Sequence, residues 1–319
     1  MTASTDRPTV LAVMKLPPFY LDRVTASFDT LDRLHETDPA AFARAAPRVT
    51  AITGGGESPV TRELMDRLPA LRMVSIMGVG YDGVDVAAAR ERGIMVTHTP
   101  DVLNDEVADT AIGLMLSIAR RIPQADRWVR EGKWESVGAM PLARRMSGTR
   151  LGIVGLGRIG TAIANRARAF GMSIAYTSRS RKDVAYAYYP SAKELAGNVD
   201  FLLVITPGGA ATRHMIDAEV LRALGPQGYL VNVARGSVVD EAALVDALAR
   251  GVIAGAALDV FENEPKVPQA LREMDNVVLT PHIGSATVQT RHAMADLALR
   301  NLQAFFAGRP PHTPVPECS

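Results

Sequence analysis

The segment Leu151-Gly152-Ile153-Val154-Gly155-Leu156-Gly157-Arg158-Ile159-Gly160 passes from a short apolar run into three glycines spaced G-x-G-x-x-G. Beyond it Ile159, Ile163, Ala167 and Phe170 recur at helical spacing, so the glycines occupy the turn between a strand and a helix. That context gives the motif its meaning. Gly155 allows the tight turn, Gly157 lets backbone approach a pyrophosphate, and Gly160 permits close packing of the helix. Amide N–H groups at the helix start attract the anion. The candidate cofactor-binding residues here are Gly155, Leu156, Gly157, Arg158, Ile159 and Gly160.

Apolar runs alternate with amphipathic stretches on both sides of this segment, which predicts an α/β fold with mainly parallel sheets. Runs at 10–14, 49–53, 72–77 and 93–97 predict one small sheet. Runs at 150–154, 173–177, 201–206, 229–233, 253–257 and 276–280 predict a complete dinucleotide-binding sheet. Between the groups, Asn104 is expected to cap a helix with Asp105 and Glu106 at its positive end. Its apolar stripe is Val107, Ala111, Leu114, Met115 and Ile118, and Pro123 is expected to end it. Ala293, Leu297, Leu302 and Phe305 predict a last helix, and Gly308 with the prolines near it predicts a loose tail.

Composition excludes several classes. At 319 residues the chain exceeds one ordinary core, so two domains are expected. With 35 Lys and Arg against 34 Asp and Glu, no general field draws it to nucleic acid or to an anionic membrane. The single cysteine, Cys318, permits neither an internal disulfide nor a cysteine zinc site, and no metal is expected. No apolar run approaches the roughly 18 residues that cross a bilayer. The run at 10–14 has no basic leader before it, so a cytoplasmic location is the expectation.

At the end of the second strand of the dinucleotide sheet, an acidic residue would bond a ribose hydroxyl. This chain has Thr177-Ser178-Arg179-Ser180-Arg181-Lys182 there. Ser178, Arg179, Ser180 and Arg181 offer hydroxyls and guanidinium forks, which suit a 2′-phosphate. NADPH is therefore favoured as cofactor, with NADH also possible.

Later strands run into chemically useful residues. The strand at 229–233 leads into Ala234-Arg235-Gly236-Ser237, which puts Arg235 at a carboxyl strand end. The strand at 253–257 leads into Leu258-Asp259-Val260-Phe261-Glu262-Asn263-Glu264-Pro265, and the strand at 276–280 into Pro281-His282-Ile283-Gly284-Ser285. His282 and several acids thus share one sheet edge, where a proton donor belongs. His98 also ends a strand, and the residues alone leave both histidines open.

Taken together, these segments resemble the D-isomer-specific 2-hydroxyacid dehydrogenases, particularly the branch that reduces glyoxylate, hydroxypyruvate and hydroxyphenylpyruvate. The resemblance covers nearly the whole chain. It also rests on Gly78-Val79-Gly80-Tyr81-Asp82-Gly83-Val84-Asp85, on Thr99-Pro100-Asp101 and on Val231 to Asp240. It implies two doubly wound parallel-sheet domains, a Rossmann cofactor domain over 99–286 and a flavodoxin-like substrate domain made from 1–98 and 287–319, with a cleft between them. It implies NAD(P)H-dependent reduction of a small 2-keto acid to the D-2-hydroxy acid. Arg235 would clamp the substrate, His282 would act as general acid, and Glu264 would orient and charge the imidazole. Glu262 and Asp275 would then be ordinary surface acids. The resemblance also sets Thr206, Pro207, Val233, Ala234, Asp259 and His282 against the cofactor, with Asp259 bonding the nicotinamide carboxamide. Val79 and Gly80 would hold the substrate carboxylate through backbone N–H groups, and Ser285 would bond a substrate hydroxyl. Ile205 departs from the histidine that many relatives carry before the x-Pro pair. Relatives are homodimers, and Trp128, Val129 and Trp134 lie in the matching segment, where Trp134 would either shape the substrate pocket or serve as a core or interface residue. Two other activities share the superfamily: oxidation of a small anion such as formate or phosphite, and dinucleotide sensing by a corepressor.

Overall fold

In the computed structural model, which describes residues 7–318, the chain divides into two compact units, Met1–Leu103 with Thr287–Ser319 and Asn104–Ala286. The described residues of the first unit build a five-stranded parallel sheet from β1 (Thr9–Ala12), β2 (Asp29–Asp32), β3 (Val49–Gly54), β4 (Met73–Ile76) and β5 (Met95–Thr97). Its order is β2-β1-β3-β4-β5, the flavodoxin-like arrangement. Val10, Leu11, Val74 and Ile76 are fully buried, as a parallel sheet with both faces covered requires. Strand β2 was not foreseen, because Asp-Thr-Leu-Asp carries no apolar run; it lies half-exposed at the sheet edge.

The helix Val288–Phe306 packs against β4 and buries Met294, Leu297 and Leu302, and the Ser75 hydroxyl donates to the Ala298 carbonyl at 3.0 Å. The segment after it is not the loose tail expected. Pro314 bridges Thr97 in antiparallel fashion, the Val315 N–H donates to the Val96 carbonyl at 2.9 Å, and Val315 is fully buried. The Asn301 carboxamide oxygen accepts from the His312 and Thr313 amides at 2.8 and 3.1 Å. Proline forbids a helix here, yet it leaves the neighbouring N–H groups available to an edge strand.

The second unit carries a seven-stranded parallel sheet: β6 (Arg150–Val154), β7 (Ser173–Thr177), β8 (Ala187–Tyr188), β9 (Phe201–Val204), β10 (Tyr229–Asn232), β11 (Gly255–Leu258) and β12 (Val277–Leu279). The order β12-β11-β10-β9-β6-β7-β8 reverses direction at β6, so ligands belong at the carboxyl end of that strand. The helix Asn104–Arg120 buries the expected stripe of Val107, Ala111, Leu114, Met115 and Ile118. Arg166 of the helix Arg158–Ala169 bonds Asp105 and Asp109 of its neighbour at 2.9 and 2.5 Å. Pro123 does not itself end that first helix, which stops at Arg120; after Arg121 at φ +55° the proline stands in the first turn of a new helix, Ile122–Arg130. Among the described residues no helix is long and apolar enough to cross a membrane.

Candidate active site

Because every pair of neighbours in the second sheet is parallel and in register, all carboxyl strand ends fall on one edge. The ladder continues one residue past each strand: Gly155 N–H bonds Thr177, Ile205 bonds Val154, Val233 bonds Val204, Asp259 bonds Asn232 and Thr280 bonds Leu258. The glycine loop, Ser178, Thr206, Arg235, Asp259 and His282 therefore leave the sheet along the same side.

In the glycine loop Gly155 has φ +106°, and a Cβ there would lie 2.8 Å from the Ile205 carbonyl oxygen. A Cβ on Gly160 would lie 2.2 Å from the Gly155 carbonyl oxygen, so the helix approaches the loop as closely as only glycine permits. Gly157 differs, since a Cβ there meets nothing within 4 Å. Gly157 precedes the helix Arg158–Ala169 and supplies no side-chain cap, which leaves the first helical N–H groups to a ligand. Open space beside Gly157 and an uncapped helix start fit a dinucleotide pyrophosphate.

At the end of β7, Thr177 is buried while Arg179, Ser180 and Arg181 are exposed, and the Ser178 hydroxyl donates to the Ser180 carbonyl at 2.7 Å. Neither Arg179 nor Arg181 forms an ion pair among the described residues. Thr206 is half-buried and Pro207 exposed after β9.

After β10, Val233 and Ala234 are buried and Arg235 is half-buried. Asn232, almost wholly buried, shapes this turn, accepting from the Ala234 amide at 3.0 Å and donating to the Arg235 carbonyl at 2.9 Å. The Arg235 guanidinium donates to the Ala234 carbonyl at 2.8 Å.

Asp259 organises the histidine loop. One carboxylate oxygen accepts from the Thr280 hydroxyl at 2.6 Å and the Ile283 amide at 2.8 Å, and the other accepts from the Gly284 amide at 2.8 Å. The His282 amide donates to the Asp259 carbonyl at 2.9 Å. These bonds hold His282 at φ +54°, a conformation that costs a side-chain-bearing residue energy unless its surroundings impose it. His282 Nδ1 meets Glu264 Oε2 at 2.8 Å, and the other Glu264 oxygen accepts from the Phe261 amide at 3.0 Å. Burial alone would push the Glu264 carboxyl up. The His282 bond and charge, the Phe261 N–H and the Arg235 charge outweigh it and hold Glu264 below the usual glutamate value. Ser285 follows half-buried.

Glu262 is not an ordinary surface acid. Its Oε1 accepts from Arg213 at 2.7 Å and meets His214 Nε2 at 3.1 Å, and its backbone N–H donates to Glu241. The hydrogen bond from His214 outweighs burial and, with Arg213, lowers its pKa. Asp275 remains exposed, with a long contact of 3.5 Å to Arg127. Trp134 is exposed, while Trp128 donates to the Gly138 carbonyl at 3.0 Å.

In the first unit, Val79 and Gly80 lie half-buried in the turn after β4. His98 Nδ1 bonds the Val79 carbonyl at 2.9 Å, and Thr99 N–H bonds the Gly78 carbonyl at 2.8 Å. His98 thus contributes to the shape of this turn. Sequence reasoning missed the contacts that Asn232, Thr280 and His214 make with the Arg235, Asp259 and Glu262 segments. A polar residue inside an apolar strand was the one available signal, at Asn232.

Residues 112–284 match the model of the D-isomer specific 2-hydroxyacid dehydrogenase NAD-binding domain. The chain is 50% identical over 283 residues to a hydroxyphenylpyruvate reductase of Plectranthus scutellarioides, covering 88% of this chain and 90% of that one. It is 44% identical over 322 residues to a glyoxylate/hydroxypyruvate reductase of Arabidopsis thaliana, covering 99% of each. Among solved structures, an NADPH-dependent glyoxylate/hydroxypyruvate reductase from Sinorhizobium meliloti, in complex with NADP and malonate, aligns with TM-score 0.93 at 51% identity over 98% of each chain. With this match over the whole length and a glycine loop suited to a nicotinamide dinucleotide, the chain belongs to the D-isomer-specific 2-hydroxyacid dehydrogenases, a family of oxidoreductases.

Proposed function

We propose that this protein reduces a small 2-keto acid of the glyoxylate or hydroxypyruvate type to the D-2-hydroxy acid and prefers NADPH to NADH. The observation that carries the reading is the 2.8 Å bond between His282 and Glu264, on the same sheet edge as the glycine loop. A reduced nicotinamide held there would supply the hydride. His282 supplies the proton to the developing alkoxide from Nε2, because Nδ1 is engaged by Glu264. Glu264 fixes the ring and stabilises the imidazolium. Arg235 holds the substrate carboxylate through its guanidinium fork. Ser285 bonds a substrate hydroxyl. The 155–160 loop would hold the pyrophosphate, and Thr206, Pro207, Val233 and Ala234 would line the cofactor. The exposed side chains of Ile122, Val129, Trp134 and Val137 support a homodimer.

Consumption of NADPH and of NADH is followed with glyoxylate, hydroxypyruvate, pyruvate, phenylpyruvate and 2-ketogluconate. Turnover is expected with glyoxylate or hydroxypyruvate, at lower KM for NADPH. Silence with every keto acid overturns the reading and directs attention to formate, phosphite or a sensing role. Arg179→Ala is expected to raise KM for NADPH about tenfold, the scale of one hydrogen bond to a charged group. KM for NADH should stay as it is, and equal rises for both would remove Arg179 from 2′-phosphate recognition.

Glu264→Gln tests the pair. Reduction needs the imidazolium, which the carboxylate favours, so activity falls as pH rises through the histidine's titration. Loss of the negative charge is expected to move that alkaline limb to lower pH. An unmoved limb, with only the rate reduced, would show that Glu264 orients the ring without charging it.

A further inference from the structure

We infer that Tyr176 is a positioning residue for cofactor choice: its buried hydroxyl closes the 177–182 loop and sets Ser178 and Arg179 where a 2′-phosphate is met. The inference rests on the NADPH reading above. Tyr176 lies inside β7 and is fully buried. Its hydroxyl accepts from the Lys182 amide at 2.7 Å and donates to the Lys182 carbonyl at 3.2 Å, so one phenol satisfies both backbone groups of a single residue. Within the ring so closed, the Ser178 hydroxyl donates to the Ser180 carbonyl. The far side is anchored by β8, where Tyr188 pairs with Tyr176 and the two rings stand 5.4 Å apart.

The loop itself has little to hold it, since residues 179–185 are all exposed. Polar loops on a surface sample many conformations, and ordering one on binding weakens affinity. Pinning the loop from beneath removes that cost before the ligand arrives. Packing alone does not account for the hydroxyl. A phenylalanine would fill the same space, and a buried phenol is unfavourable unless its oxygen is bonded. Both of its bonds go to the cofactor loop.

Tyr176→Phe keeps the ring and removes the closure. KM for NADPH is expected to rise about fivefold, the scale of one or two hydrogen bonds, with kcat and KM for NADH within about twofold of wild type. Amide hydrogen exchange of the cofactor-free protein should accelerate at 178–182 and nowhere else in the second sheet. An unchanged KM for NADPH overturns the inference. Equal rises for both cofactors, or faster exchange across the whole sheet, mark Tyr176 as a core residue and overturn it too. Wild-type and Arg179→Ala enzymes are measured alongside. If wild type shows no preference for NADPH, the cofactor reading fails and the inference falls with it; if the preference depends on Arg179 but not on Tyr176, the inference alone fails.

Discussion

His282→Ala is expected to lower kcat for keto-acid reduction by about three orders of magnitude, within the range that a positioned general acid contributes. Binding of NADPH, followed by nicotinamide fluorescence, should persist. The split arises because the glycine loop and the 177–182 loop leave the sheet from β6 and β7, whereas His282 follows β12 at the opposite end of the strand order. Alanine brings its own difficulty, since position 282 has φ +54°. His282→Asn provides the control, because asparagine adopts the left-handed region more readily than alanine and cannot protonate an alkoxide as imidazolium does. Equal losses in the two variants assign the effect to the missing acid. Turnover near wild type in either one removes His282 from that role.

Gly236→Ala is expected to destabilise the second unit by about 3 kcal/mol or more, in the class of overpacked core sites. A Cβ at Gly236 would lie 1.9 Å from the Phe261 carbonyl carbon, 2.1 Å from its oxygen and 2.3 Å from the Glu262 nitrogen. All three are backbone atoms, so no side chain can swing aside. The Arg235 turn and the turn that carries Glu264 must separate. Thermal denaturation should show a loss of about 10 °C, given some 2 to 4 °C per kcal/mol for a unit of this size. Activity should fall further than stability, because the same separation displaces Arg235 and Glu264. A melting temperature within a few degrees of wild type would show that the two turns yield easily.

The elements legible in the sequence were those that one local force dictates. The glycine loop, the apolar runs and the amphipathic helix each follow from nearest-neighbour chemistry, and each appears where expected. Strands β2 and β8 escaped notice because an edge strand needs no apolar run. The ordered segment after Gly308 escaped because its anchors, Asn301 and Val96, are remote in the chain. The motifs also carried less than the geometry about Asp259, whose carboxylate bonds go to the loop of His282. Glu262 read as a surface acid because nothing in Phe261-Glu262-Asn263 announces that Arg213 and His214 fold back onto it. Fold is written in periodicity, whereas these contacts depend on which turns the strand order brings together.

The discontinuous make-up of the first unit bears on how the chain acquires its structure during synthesis. The second unit is one continuous stretch, and all its strands emerge from the ribosome in turn. The first sheet is translated earlier yet lacks the Val288–Phe306 helix and the Val315 plug until residues 288–315 have been made. Cotranslational folding would therefore complete the second unit before the first, the reverse of the usual order in which amino-terminal domains complete themselves. Contacts of such long sequence separation are slow to form, so this unit is the part of the protein that depends most on protection while nascent.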